Sequence, residues 1–533
     1  MMALAQGATG SNGDPVVNVG VFGAFVVITL FVVYRVGARG STASDYYTAG
    51  RGFTGAQNGI ALTGDFLSAA SFLGISGAIA VYGYDGFLYS IGWLVCWLVT
   101  LLLIAEPVRN TGRFTMGDVL SYRMRQRQVR AASATSTLVI SLFYLLAQMA
   151  GAGGLIALLL DIHEPGSQAI AIAVVGVVML IYVLLGGMKG TTWVQIMKST
   201  GLVICLVMLA VFLLGKFGFS ISALLDEAVN NNSKGTAILE PGTLYGASEI
   251  SKIDLVSLSI ALIMGAAGLP HILMRFYTVP NAKQARRSVV WTIGTVALFY
   301  FCTLIVGYGA SALVGSNKIL NSSGGENSAT PLLAFEVGGT VLLGIISAIA
   351  FATILGVVSG LTLTASASFA HDVYANIFKR GKVAPDAEVR VARLAAVAIG
   401  MLGIGGGVLF NGQNVAFLVG IAFAFSASAN VPTMLYSLFW KRFNTSGTLW
   451  SMYGGLISCL LLVVFSPVVS GKKTSILPEV DFALFPLSNP GIVSIPLSFV
   501  LGFLGTVFGK EETNKRLRSE MTVKAVTGIG VAR

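Results

Sequence analysis

Charge is what this sequence has least of. Only 11% of its 533 residues are Asp, Glu, Lys or Arg, against about 25% in a soluble globular chain. It has three histidines and four cysteines. The cysteines (Cys96, Cys205, Cys302, Cys459) stand far apart inside apolar runs, which excludes a zinc or redox motif and leaves them as small buried side chains. No paired-aspartate GxGD element, Ser/His dyad at helical spacing or HExxH is present, so no intramembrane enzyme is expected. The segment before the first apolar run has no basic stretch, and no cleavable signal peptide is expected. No polar stretch is long enough for a large soluble domain, which removes the output domain a transporter-like sensor carries.

What is there is apolar. The chain is 55% hydrophobic, with 64 glycines and 14 prolines and a mean hydropathy of +0.81. This describes an all-α, polytopic membrane protein, in which glycine and proline are commoner than in soluble helices. A bilayer core about 30 Å thick takes roughly 20 residues per helix. That length places thirteen spans, centred near residues 26, 70, 96, 146, 176, 204, 264, 300, 355, 401, 423, 457 and 500. TPLLAFEV (330–337), short and amphipathic, reads as a helix lying on the external surface before the ninth span.

The net charge of +11 raises the question of nucleic acid, and its distribution answers it. With the N-terminus outside, 27 of the 34 Lys and Arg fall on inside segments and six on outside loops, Lys198 lying near the inner end of a span. That asymmetry is a topology signal, so the orientation is N-out and C-in and no nucleic-acid partner is expected. The chain reads as a single membrane domain, residues 1–533, with a solvated, mobile cytoplasmic tail over 510–533.

Two spans have interiors that should not stay helical. The second carries Gly74, Gly77 and Gly83; the seventh carries Gly265, Gly268 and Pro270 within about a turn. Proline removes a backbone donor and displaces the carbonyl four residues back. In lipid, freed backbone groups are tolerated only where they line a cavity or are buried in protein. Five spans separate the breaks, so the two helices cross in opposite directions, the signature of an inverted-repeat transporter with its site at the broken helices. The ninth span adds hydroxyls at Thr353, Ser359, Thr362, Thr364, Ser366 and Ser368. Ser359 and Thr362 share a face. The cluster reads as oxygen ligands for a hard cation, with capping of the helix's own carbonyls as the alternative.

Four stretches in order, SDYYTAGRGFTGAQNGIALTGDFLSAASFLGISG (44–77), GGMKGTTWVQIMK (186–198), GLPHILMRFYTV (268–279) and GLTLTASASFAHDVYANIF (360–378), resemble the sodium:solute symporter family. Within it they most resemble the acetate and other monocarboxylate permeases. The resemblance implies thirteen spans around a LeuT-like core of five plus five inverted helices, spans 2–6 and 7–11, about residues 55–435. It implies a sodium site of backbone carbonyls near Gly64 and Leu67 with hydroxyls from the ninth span. Two registers are open there, Gly356 with Val357 or Ser359 with Gly360, and the second supplies a hydroxyl; Thr362 follows one turn on. The family's hydroxyl pair is incomplete in both, which leaves the coupling ion as Na+ or H+. Where several members place an aspartate two residues after the tryptophan of the second motif, this chain has Gln195 after Trp193. A second sodium site built on that carboxylate is therefore not expected, and Gln195 is a coupling candidate.

Asp65 lies about 12 Å into the second span, at about 1.5 Å per residue from Gln57. A charge at that depth costs a few kcal/mol and usually marks function. It stands beside Gly64 and Leu67 as charge near the cation, or it faces a basic side chain or caps the broken helix. The substrate candidates are Ser68, the N–H groups from Ser71 through Gly74 to Gly77, and Pro270 with His271 in the other broken helix; His371 beside Asp372 reads as structural. The expected function is a secondary active symporter of the cell membrane. It would import a short monocarboxylate such as acetate, propionate or pyruvate; the alternative solutes are proline, a sugar or pantothenate. Its partners are the organic anion, the coupling cation and lipid. No organic cofactor or metal other than the transported cation is expected.

Overall fold

The computed structural model describes residues 47–529 except 161, 163, 411, 412, 473, 474 and 510–514, together with isolated positions between 20 and 35. The expected first span falls largely outside these residues. Among the described residues the chain is helical, with one isolated bridge between Ser470 and Leu477. Ten helices are long and apolar enough to cross a membrane, or eleven if one bent pair counts as a span.

The bent pair is α1 (Gly55–Phe66) and α2 (Ala70–Tyr82), which meet at 64°. Then come α3 (Tyr84–Thr111), α4 (Gln126–Leu159) and α5 (Pro165–Lys216). Within α5, Gly166–Ile181 and Met188–Lys216 are the apolar stretches, at the expected fifth and sixth spans. The second half holds α6 (Glu249–Gly268), α7 (Pro270–Arg275), α8 (Ala282–Leu313) and α9 (Ala329–Ser368). It continues with α10 (Pro385–Leu409), α11 (Val415–Phe439), α12 (Thr445–Val464) and α13 (Gly491–Phe508). The helices start where side chains satisfy orphan N–H groups. Thr54 and Gln57 form a capping box on α1, and Asn281 and Asn414 accept from the first turns of α8 and α11.

Packing sorts these helices. In α4, α9 and α11 most of the apolar stretch is buried, whereas α10 and α13 keep exposed apolar faces such as Leu409 and Phe508. An apolar outside face suits lipid, where backbone groups must be satisfied internally. α1 packs on α5 and α8, α9 on α4 and α5, and α6 on α11.

Each broken span interrupts its helix with one extended leucine. Leu67 (φ −71°, ψ 99°) follows α1, and Leu269 (φ −67°, ψ 119°) follows α6 immediately before Pro270. The second-span break therefore lies earlier than its glycines suggest. Residues 70–74 form a π-helical turn and 75–82 are α-helical, so Ser71, Gly74 and Gly77 are not unwound. Their glycines serve close approach instead. A Cβ at Gly77 would lie 2.1 Å from the Glu326 carbonyl oxygen, and one at Gly74 would lie 2.5 Å from the Ala416 nitrogen. Gly83 alone needs its conformation: at φ +62° it ends α2 against Ile238.

Two further expectations change. Residues 330–337 open α9, ahead of a kink at Gly338–Gly339, with Thr330–Ala334 buried against α2 rather than spread on a surface. The tail is also docked. Lys515–Thr527 forms helix α14, which buries Met521 and Ala525 against the end of α3; Asn110 donates to the Ala525 carbonyl at 2.9 Å. Mixed charge hid two apolar side chains four apart, enough to seat a short helix.

Candidate functional site

The two breaks bring a charged network to the middle of the bundle. Asp65, in the last turn of α1, is ion-paired with Arg275, in the last turn of α7, and accepts a hydrogen bond from the Gln195 amide on α5. Arg275 also donates to the Thr192 hydroxyl. Gln195 donates to the Gly356 carbonyl at 2.7 Å, and Lys198, one turn further on α5, donates to the Thr353 carbonyl at 2.9 Å. Asp65, Arg275, Gln195 and Lys198 are each at most 4% exposed. Of the roles open to Asp65, facing a basic side chain is realised, and the partner comes from the other broken helix. Removing one member of such a buried pair costs about 3–5 kcal/mol.

The cation candidates surround this network. A Cβ at Gly64 would lie 2.6 Å from the Gln195 carbonyl oxygen, one at Gly356 2.5 Å from Lys198 Nζ, and one at Gly360 3.0 Å from Asp65 Oδ1. Glycine at these positions lets α1, α5 and α9 approach until their polar ends meet. Leu67 supplies the extended residue at the break. The hydroxyls of the ninth span mostly cap their own helix: Thr353 bonds the Ile349 carbonyl, Ser359 the Gly356 carbonyl and Ser366 the Leu363 carbonyl. Thr362 is buried with its hydroxyl unpartnered. The structure thus gathers Gly64, Asp65, Gln195, Gly356 and Gly360, and adds Lys198 and Arg275.

The substrate candidates divide. Ser68 lies at the break, where its Oγ accepts from Ala70 N–H at 3.2 Å. His271, beside the buried Pro270, is 2% exposed with neither ring nitrogen partnered, its ring edge-on to Tyr144 at 5.5 Å. Ser71 turns to the Tyr300 hydroxyl at 3.2 Å. Gly74 and Gly77 belong to one end of the bundle. There Asn414 donates to the Gly74 carbonyl (3.2 Å) and to Glu326 (2.6 Å), and Tyr82 donates to Glu326 (2.9 Å).

At the opposite end of α9, Arg130 bridges Asp118 (2.8 Å) and Asp372 (2.6 Å), while His371 contacts Asp118 (3.4 Å) and Glu388 (3.0 Å). Ser368 and Thr115 also donate to Asp372. Asp118, His371 and Asp372 converge within 4.8 Å of one another, but the Arg130 guanidinium lies between the two carboxylates, so this cluster is a structural clamp.

Sequence reasoning assigned no role to Arg275, Lys198, Tyr144 or Gln148. Arg275 stands only five residues after Pro270, at the end of the broken span, where a basic residue also reads as part of an inner loop. Gln148 is an amide in an otherwise apolar run, LLAQMAGAGG, and that isolation was the available signal.

The family model for the sodium:solute symporter family matches residues 46–455. The chain is 53% identical to a monocarboxylic acid transporter of Corynebacterium glutamicum over 99% of this chain and 98% of the relative. It is 46% identical to the uncharacterized symporter YwcA of Bacillus subtilis over 95% and 98%. Among solved structures it resembles a substrate-bound, outward-open Na+-coupled sialic acid symporter (TM-score 0.70, 16% identity, 93% of this chain and 99% of that one). It also resembles Mhp1, a nucleobase-cation-symport-1 family transporter (TM-score 0.55, 11% identity, 90% and 98%). At those identities the likeness shows the fold, which is the LeuT-like one. This multi-pass membrane protein belongs to the sodium:solute symporter family.

Proposed function

We propose that this symporter imports short-chain monocarboxylates, such as acetate, propionate or pyruvate, together with Na+ or H+. The observation that carries the reading is the charge balance at the crossing of the broken helices. Two basic side chains, Arg275 and Lys198, stand against one carboxylate, Asp65. With Lys198 protonated the cluster has one positive charge in excess, which is costly at that depth and which a monovalent anion offsets. A neutral sugar or a zwitterion leaves the excess in place. The corynebacterial relative, named a monocarboxylic acid transporter, supports the same substrate class.

The coupling ion belongs beside Asp65. The carbonyls of Thr353 and Gly356 are engaged by Lys198 and Gln195, so a cation entering there displaces a nitrogen donor and adds charge that favours the anion. Binding of the two solutes is thereby linked, as symport requires. In this reading the positive-inside distribution puts the Asp118–Arg130 clamp on the cytoplasmic side and the Glu326–Asn414 contact outside.

Proteoliposomes test this directly. Labelled acetate, propionate and pyruvate should accumulate under an inward Na+ gradient, an inward proton gradient, or both, and an uncoupler separates the two drives. Accumulation of labelled proline or glucose with no carboxylate uptake under either gradient contradicts the reading.

A further inference from the structure

We infer that Gln148 and His271 form the clamp for the substrate's carboxylate, an assignment that rests on the monocarboxylate reading above. Gln148 lies on α4 and is fully buried. Its Oε1 accepts from the Ala69 N–H at 3.3 Å, at the break between α1 and α2. That bond fixes which way the amide points, because the reverse orientation would set two donors against each other. The Nε2 donor is therefore turned away from the break, and it has no partner. His271, in the first turn of α7, is likewise buried with both ring nitrogens unpartnered.

The same few residues link the two. Tyr144 is four residues before Gln148 and so shares its face of α4. Gln148 reaches the first break through Ala69, and the Tyr144 ring meets His271 at the second. Two neutral donors left unpaired in the interior are unusual and costly. A carboxylate is acceptor-only with two oxygens, and it satisfies both: one oxygen on Gln148 Nε2, the other on a His271 N–H. The charge that favours this anion comes from Arg275 and Lys198, not from the clamp. Phe423 packs against Tyr144 at 6.1 Å, and Phe66 packs against Phe423 (6.2 Å) and Trp97 (5.1 Å). In this assignment the substrate's alkyl chain lies against these rings, which suits chains of a few carbons.

The test is the kinetics of labelled acetate uptake by wild type, Gln148→Glu and Gln148→Met, at matched protein in proteoliposomes. Glu keeps an acceptor for Ala69 N–H and replaces the free donor with an oxygen. Met is close in length and has neither group. The clamp predicts that both variants raise KM by about tenfold or more while Vmax stays within about threefold, a split that general loss of packing does not produce. If Met prevents insertion, Gln148→Leu, which adds no charge and also lacks both groups, takes its place. Wild-type uptake with a Gln148→Glu KM within twofold of it overturns the clamp and leaves the substrate reading standing. Absence of carboxylate uptake by wild type overturns the reading and the clamp with it.

Discussion

Two polar networks in this protein use the same chemistry to opposite ends. At one end of α9, Arg130 and His371 are matched by Asp118, Asp372 and Glu388, and the clamp's charged groups are all paired. In the middle, Arg275 and Lys198 face one carboxylate, and Gln148 Nε2, both nitrogens of His271, Gln195 Oε1 and the Thr362 hydroxyl are buried without partners. The saturated network holds helices in place. In the proposed reading, the unsaturated one gains when a ligand supplies the missing acceptor and the missing negative charge. In the same proposed reading, counting unpaired hydrogen-bond groups separates a structural cluster from a substrate site where charge and burial alone do not.

That contrast can be broken at either end. The largest effect is expected from Arg130→Leu, which leaves Asp118 and Asp372 facing each other without their shared cation. The loss is about 3–5 kcal/mol, a drop of about 4 °C in the melting temperature of the purified protein, and no carboxylate ligand restores it. Asp65→Asn, which also removes one member of a buried pair, should cost at most the same about 3–5 kcal/mol and be decisive in transport. Arg275 keeps its bond to Thr192, but gradient-driven uptake falls to background. Saturating acetate should raise the melting temperature of Asp65→Asn more than that of wild type, because the anion replaces the missing carboxylate and ligand binding stabilises by mass action. Unchanged uptake with unchanged cation dependence in Asp65→Asn discards the coupling role. Equal stabilisation by acetate in both proteins discards the charge argument.

Much of the architecture was legible because lipid imposes it. Apolar length, Pro270 and the offset between two damaged spans led to an inverted-repeat transporter, and the resemblance of four motifs to the sodium:solute symporters implied its LeuT-like form, without any contact being visible. The site was half legible. Asp65 stood out because a carboxylate within an apolar run is costly, but its partner Arg275 is 210 positions away and looks like a loop residue by charge counting. Gly74 and Gly77 misled because glycine serves both broken helices and close packing. Here they admit Ala416 and Glu326, while the break falls at Leu67, which has no local signal at all. The hydroxyls of the ninth span are ambiguous in the same way: Thr353, Ser359 and Ser366 donate to carbonyls of their own helix, a use that sequence cannot distinguish from ion ligation.

The central claim is that the middle network recognises a carboxylate by its charge and its two acceptor oxygens. The most direct measurement is inhibition of labelled acetate uptake by unlabelled propionate against propionamide, which has the same shape but no charge and adds two donors. Propionate should compete at a concentration near its own KM, and propionamide should fail even at about a hundredfold more, the difference expected from two charge-assisted hydrogen bonds. Equal inhibition by the amide would mean that the site reads shape alone, and would contradict the account.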